Sequence, residues 1–223
     1  MCRALTAQQL ARLNRVSFRK RYPPGQLIAG IDVTEDWCAT ILSGVIKLTK
    51  SLSDGRQQIV GLLFPSDFLG RPFRVDSPYA AETATAVQLC CFSRQHFEEL
   101  LHEQAELKQL FLERALDEVD AARDWMLLLG RKNAQEKVAA FILSMLRRMR
   151  PAEALSVESQ QQFDLPVSRT DMADYLGLRL ETVSRQLKRL HTSGVIETGL
   201  GRAITVRDVQ ALERMVFAPD AAR

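Results

Sequence analysis

No stretch of this 223-residue chain approaches the ~18 consecutive apolar residues that a membrane-crossing helix requires. Its first residues do not form an apolar signal-type segment, which argues against secretion and for a cytoplasmic protein without a membrane partner. Cysteine is scarce. Cys2, Cys38, Cys90 and Cys91 are scattered, with no CxxC pair to make a self-contained zinc site, and a disulfide framework does not suit a cytosolic chain. Histidine is scarcer still, and the stretch 23–92 has none, so the convergent His/Glu ligands of a jelly-roll enzyme are missing. The chain therefore reads as a non-enzyme. There is also little excess of either charge: 30 Lys+Arg against 27 Asp+Glu give a net charge of +3. That is too small to imply nucleic acid by itself, so any DNA-binding surface must be a local basic patch. Internal repeats and low-complexity tracts are absent.

What is present divides by periodicity. Leu5, Leu10 and Leu13, after Thr6 as N-cap, predict a short helix within residues 1–20. From Pro23 to Cys91 the pattern becomes short branched runs: Leu27–Ile28, Ala39–Leu42, Val45–Thr49, Gln58–Phe64 and Thr83–Phe92. Ser53-Asp54-Gly55-Arg56 reads as a hairpin turn and Pro65–Gly70 as a loop. Strands so short and evenly spaced predict an antiparallel barrel or roll. Helix follows from about Arg94 to Met149, broken near Gly130 and Asn133, with a second helix over Ala134–Met149.

Along the first helical stretch Leu112, Ala115, Val119, Ala122, Met126 and Leu129 alternate three- and four-residue steps. That is an a/d seam whose small residues admit a partner helix, and it predicts a homodimer. The alternative is a helix lying on its own barrel. Leu107, Leu116 and Leu127 offer other faces for packing within the chain. Residues 150–163 read as a polar connection. Val195–Glu197 opposite Ala203–Val206, across Gly199 and Gly201, predicts a two-stranded wing.

Between connection and wing lie two short helices. Ser168, three residues before Asp171, is placed to cap the first reciprocally. Ala173 and Gly177 supply a small contact and a turn where the helices cross, over Met172, Leu176, Leu178 and Val183. The second helix carries Glu181, Ser184 and Arg185 on one face and Leu180, Val183, Leu187 and Leu190 on the other. Glu accepts from cytosine N4, Arg forks onto guanine O6 and N7, and Ser contacts thymine or phosphate. This is the chemistry of a helix-turn-helix reading double-stranded DNA. An intrahelical Glu181–Arg185 ion pair on a solvated face is the plainer alternative. Lys188, Arg189 and Arg202 suit phosphate neutralisation, and Arg179 suits either role.

Leu116-Asp-Glu-Val-Asp-Ala-Ala-Arg-Asp-Trp-Met-Leu-Leu-Leu-Gly-Arg-Lys132, Met172-Ala-Asp-Tyr-Leu-Gly-Leu178 and Glu181-Thr-Val-Ser-Arg185 resemble the CRP/FNR superfamily, in particular its FNR branch and the FnrL-type regulators. The resemblance implies an α+β fold: an N-terminal antiparallel β-roll of the cyclic-nucleotide-binding kind (residues 1–104), a long dimerisation helix (105–132) and a C-terminal winged helix-turn-helix (133–223). It also implies inverted-repeat targets with TTGAT-like half-sites, contact with RNA polymerase and, for FNR proteins, oxygen sensing through a [4Fe–4S] cluster.

Cys2 falls at the last N-terminal ligand of that cluster and Cys90 at the roll ligand. Cys91 is an alternative to Cys90, and a small buried hydrophobe is the alternative role for Cys90 itself. The remaining ligands are missing, which reads as an N-terminal truncation or a natural loss. Cys38 reads as core. His96, His102 and His191 read as surface or satisfied residues. Asp67–Pro78 lacks the Gly-Glu pair of the cyclic-nucleotide branch, so no cyclic nucleotide is expected, although Arg71, Arg74 and Ser77 resemble an anion site. The loop 65–78, with Asp67, Arg71, Arg74 and Asp76, is a candidate polymerase contact or a solvated loop. A cluster-free regulator of the FixK kind, controlled by abundance or thiol oxidation, is the alternative to an oxygen-responsive one.

Overall fold

A computed structural model describes residues 17–30, 36–74, 76–149 and 161–217. The expected helix around Leu5, Leu10 and Leu13, the ligand candidate Cys2 and most of the polar connection lie outside the described residues. Two compact units divide between Arg123 and Asp124.

The first unit is built on eight strands: β1 (Ser17–Tyr22), β2 (Leu27–Ala29), β3 (Trp37–Ser43), β4 (Ile46–Ser51), β5 (Gln57–Leu63), β6 (Phe68–Leu69), β7 (Ala80–Thr83) and β8 (Val87–Ser93). They form two antiparallel four-stranded sheets, ordered β1-β8-β3-β6 and β2-β7-β4-β5. The alternation along β8 explains its place. Val87, Leu89 and Cys91 turn into the roll with Ile28, Ala39, Ile41 and Ile46, whereas Phe92 turns the other way. That other face is covered by α1 (Arg94–Glu103) and the start of α2 (Ala105–Arg131). There Phe92, Phe97, Leu101 and Leu107 bury Cys38, and Phe68 stacks on Phe97 at 5.1 Å. With both faces covered, β3 is buried along a continuous run instead of alternately.

Three expectations change here. The run Thr83–Phe92 is two strands, because the chain passes between sheets at 84–86. Ala84 donates to the Val45 carbonyl, and Gly44 packs so tightly that a Cβ there would lie 2.2 Å from the Ala86 carbonyl oxygen. The loop Pro65–Gly70 contains a strand, since Phe68 and Leu69 pair with Thr40 and Ala39. Leu116 and Leu127, expected to pack within the chain, are exposed.

The second unit holds α3 (Ala134–Met149), β9 (Gln161–Asp164), α4 (Arg169–Leu176), α5 (Leu180–Thr192), β10 (Ile196–Thr198), β11 (Ala203–Val206) and α6 (Val209–Phe217). The α3 bounds match the periodicity, and the Asn133 side chain accepts from the Gln135 and Glu136 N–H groups at its start. The wing has three strands rather than two, ordered β10-β11-β9. The end of the supposed polar connection pairs with β11, placing Phe163 opposite Ile204. Buried Phe163 and Gln161 alternate there with exposed Gln162 and Asp164. α6 lies against α3, tied by Arg147 to Glu213 at 2.8 Å, and Lys132 donates to the Val216 carbonyl.

Candidate nucleic-acid interface

The helix-turn-helix is assembled from local signals. Ser168 Oγ accepts the Asp171 N–H at 3.0 Å, and the Asp171 carboxylate accepts the Ser168 N–H at 3.0 Å, closing a capping box on α4. Gly177 ends α4 at φ 60°, a left-handed conformation that lets the chain reverse into α5. Met172, Ala173 and Leu176 from α4 and Val183, Leu187 and Leu190 from α5 are buried at the crossing. Tyr175 stacks on Trp125 at 3.9 Å and meets Phe141 edge-on at 5.6 Å. Burial pushes its phenol up to about 12.

The α5 faces differ from expectation at two positions. Leu180, assigned to the core, is exposed at the start of the helix, and Gln186, not singled out, is buried. Among the described residues the Gln186 Oε1 has no hydrogen-bond partner. On the opposite side Glu181, Arg185, Lys188 and Arg189 are exposed and Ser184 is partly so, with Arg179 exposed just ahead of them. Among the described residues Glu181 and Arg185 form no ion pair with each other or with a third group, although i,i+4 spacing would allow one. Their donor and acceptor capacity faces solvent. Arg202 is also exposed and spends one guanidinium N–H on the Pro166 carbonyl at 3.1 Å.

Beside this face, His191 Nδ1 accepts the Thr198 N–H of the wing at 3.3 Å. Sequence reasoning left His191 as a surface or satisfied residue but missed that it links α5 to the wing, a contact that depends on tertiary geometry. It also passed over Leu200 at the wing tip, which the Gly199-Leu200-Gly201 sequence marks as a side chain raised on a turn.

On α2, Leu112 is 59% exposed, Val119 43% and Met126 70%, and Ala122 is exposed as well. Ala115 and Leu129 are partly covered. Leu107 alone of the described α2 residues is fully buried.

The cysteines separate. Cys91 points into the roll, Cys38 is buried under α1, and Cys90 is half-buried on the helix-covered side. Desolvation pushes the Cys38 thiol up to about 11, against the lowering influence of Arg94. Among the described residues no three His, Cys, Asp or Glu side chains converge as a metal site. A [4Fe–4S] cluster takes four thiolates, and of its two candidate ligands only Cys90 lies among the described residues. In the roll loop, the Arg71 guanidinium donates to the Asp76 carbonyl at 3.4 Å, and the Glu98 carboxylate accepts the Phe73 N–H at 2.9 Å. Asp67 turns inward to accept the Phe64 N–H at 2.8 Å, so of the candidate polymerase-contact residues Arg74 and Asp76 are the exposed ones.

The sequence pattern of the cyclic nucleotide-binding domain matches residues 19–104, and that of the Crp-like helix-turn-helix domain matches residues 136–215. The transcriptional activator protein FnrL of Cereibacter sphaeroides is 42% identical over 95% of this chain and 86% of its own length. The nitrogen fixation regulation protein FixK of Bradyrhizobium diazoefficiens is 38% identical over 98% of this chain and 90% of its own. The solved structure of FixK2 from Bradyrhizobium japonicum superposes with a TM-score of 0.82 at 34% identity, covering 92% of this chain and 99% of that one. These relatives are regulators, not enzymes. No described helix is long and apolar enough to cross a membrane.

Proposed function

The chain belongs to the Crp/Fnr family of DNA-binding regulators, and on that premise we propose that it activates transcription as a homodimer bound to FNR-type inverted repeats. Each α5 lies in a major groove over a TTGAT-like half-site. Arg185 forks onto guanine, Glu181 accepts from a cytosine amino group, and Ser184 contacts thymine or phosphate. Lys188, Arg189, Arg179 and Arg202 neutralise phosphates. RNA polymerase is the partner that converts occupancy into transcription. The observation that carries the reading is the unpaired, outward placement of Glu181 and Arg185 on a helix anchored from behind by Val183, Leu187 and Leu190.

Binding of the purified protein to a TTGAT inverted repeat and its single-base variants tests this. Glu181→Ala or Arg185→Ala loses about 1–3 kcal/mol of discrimination at one base position. Lys188→Ala weakens binding to every sequence alike and flattens the salt dependence. A Glu181→Ala protein that ranks all variants as the wild type does removes the base-readout assignment.

Two readings of the signal remain, oxygen sensing through a cluster and cluster-free control of the FixK kind by abundance or thiol oxidation. The two differ in what DNA binding requires. The second requires that protein purified in air bind DNA without reconstitution. Binding that depends on anaerobic iron and sulfide, with visible cluster absorption, restores the first.

A further inference from the structure

Two contacts fix the direction in which the wing leaves the recognition helix. Leu190 of α5 is buried in the core, whereas His191, two helical turns beyond Ser184 on the same side of the helix, is exposed. The Val195 N–H donates to the Leu190 carbonyl at 3.1 Å, and three residues later the Thr198 N–H donates to His191 Nδ1 at 3.3 Å. β10 thus begins against the core side of the helix and emerges on the side that carries Glu181, Ser184, Arg185 and Lys188. The hairpin then closes: the Gly199 N–H donates to the Ala203 carbonyl at 2.9 Å, and Gly201 turns the chain at φ 66°. At its tip, about 7 Å past Thr198 at the rise of an extended chain, Leu200 is 98% exposed.

An isolated exposed leucine is common and means nothing by exposure alone. Position distinguishes this one. It stands on the DNA-facing side of α5, raised between two glycines, with the exposed Arg202 guanidinium two residues away. A helix seated in the major groove brings a hairpin at its flank over the neighbouring backbone and minor groove.

We infer that Leu200 packs into the minor groove flanking each half-site and gives the protein a preference for A·T pairs there. The inference rests on α5 being the DNA-reading helix. Apolar side chains enter minor grooves as wedges against base and sugar edges. A G·C pair places the guanine N2 amino group on the groove floor, where it occupies the space and presents a donor that leucine cannot accept. An A·T pair has no such group, and its floor leaves room for an apolar side chain.

The test uses fluorescence anisotropy with the full chain on four duplexes: the inverted repeat with A·T flanks, the same repeat with G·C flanks, and scrambled versions of both. The wild type binds the A·T-flanked repeat about fivefold more tightly than the G·C-flanked one, the scale of partly burying one leucine. Leu200→Ala loses that preference through weaker binding to A·T flanks alone, with circular dichroism unchanged because the side chain packs against nothing. Equal flank preference in both proteins, or none in the wild type that still prefers the repeat to the scrambled duplex, overturns the inference and leaves the α5 reading intact. A wild type indifferent to scrambling overturns both. A Leu200→Ala protein that binds every duplex normally but fails in reconstituted transcription places the tip against polymerase, and the inference falls.

Discussion

Cys38 shows how burial decides the chemistry of one side chain. It sits in β3 beneath Phe92, Phe97, Leu101 and Leu107, and a Cβ on Gly70 would approach its Sγ to 3.0 Å. Burial disfavours the thiolate, so the folded chain holds the thiol proton to about 11 instead of 9.0. Below pH 9 both folded and unfolded forms are protonated and nothing is lost. Between about 9 and 11 only the unfolded chain ionises, so this group removes roughly 1.4 kcal/mol of stability per pH unit, levelling off above the folded value. Urea titrations across that range should show a steeper alkaline loss in the wild type than in Cys38→Ala, whose neutral baseline is itself lower. Equal slopes would mean that Cys38 is solvated. Tyr175, pushed up to about 12 by burial, adds a second loss that begins near 10. In the unmodified protein at neutral pH, thiol reagents should spare Cys38.

The α4–α5 crossing is the element whose energetics are most local. Its capping box satisfies two N–H groups that the first turn of α4 would otherwise leave open. Ser168→Ala should cost about 1 kcal/mol of stability, read from the denaturation midpoint, and should weaken DNA binding only in proportion to the unfolded fraction. A larger loss of binding than of stability would assign Ser168 a direct contact. This element was legible beforehand because capping, the glycine turn and the apolar spacing of α5 are all short-range signals. The exceptions are informative. Leu180 fits the apolar stripe by spacing, yet it sits at the first position of the helix, with no neighbour above it to cover it. Gln186 fits the polar pattern, yet it is buried. β9 was hidden because Gln161-Gln162-Phe163-Asp164 has one apolar residue, and its strand character comes from pairing with β11. The passage between β7 and β8 was hidden because Ala84, Thr85 and Ala86 suit a strand, and only the close approach of Gly44 shows the crossing. The polar face of α5 was legible as chemistry, whereas the wing's attachment at His191 required coordinates.

At the scale of the whole molecule the decisive feature is an α2 helix of 27 residues with a single buried side chain, Leu107. A helix owes its place in a protein to packing of its apolar face more than to propensity. Here Leu112, Val119 and Met126 stand in water on the seam face, with Leu116 and Leu127 exposed beside it and the Asp120–Arg123 pair at 2.8 Å. Ala115 and Ala122 lie between them, leaving room for a second backbone at close range. A second copy of the same helix presents the same stripe, so the proposed two-fold dimer would cover both at once. In the proposed dimer two α5 helices would engage two half-sites, roughly 34 Å apart. The second contact is then intramolecular, and losing it should cost about a hundredfold or more in affinity. Ala122→Arg inserts a charge where the helices meet. Sedimentation should show monomers, binding to the inverted repeat should fall by that factor, and the ranking of single half-site variants should stay as in the wild type, because α5 is untouched. A dimer that survives the substitution would move the interface off this stripe. Monomers that keep full affinity would instead remove dimerisation from the binding mechanism, and with it the need for an inverted repeat.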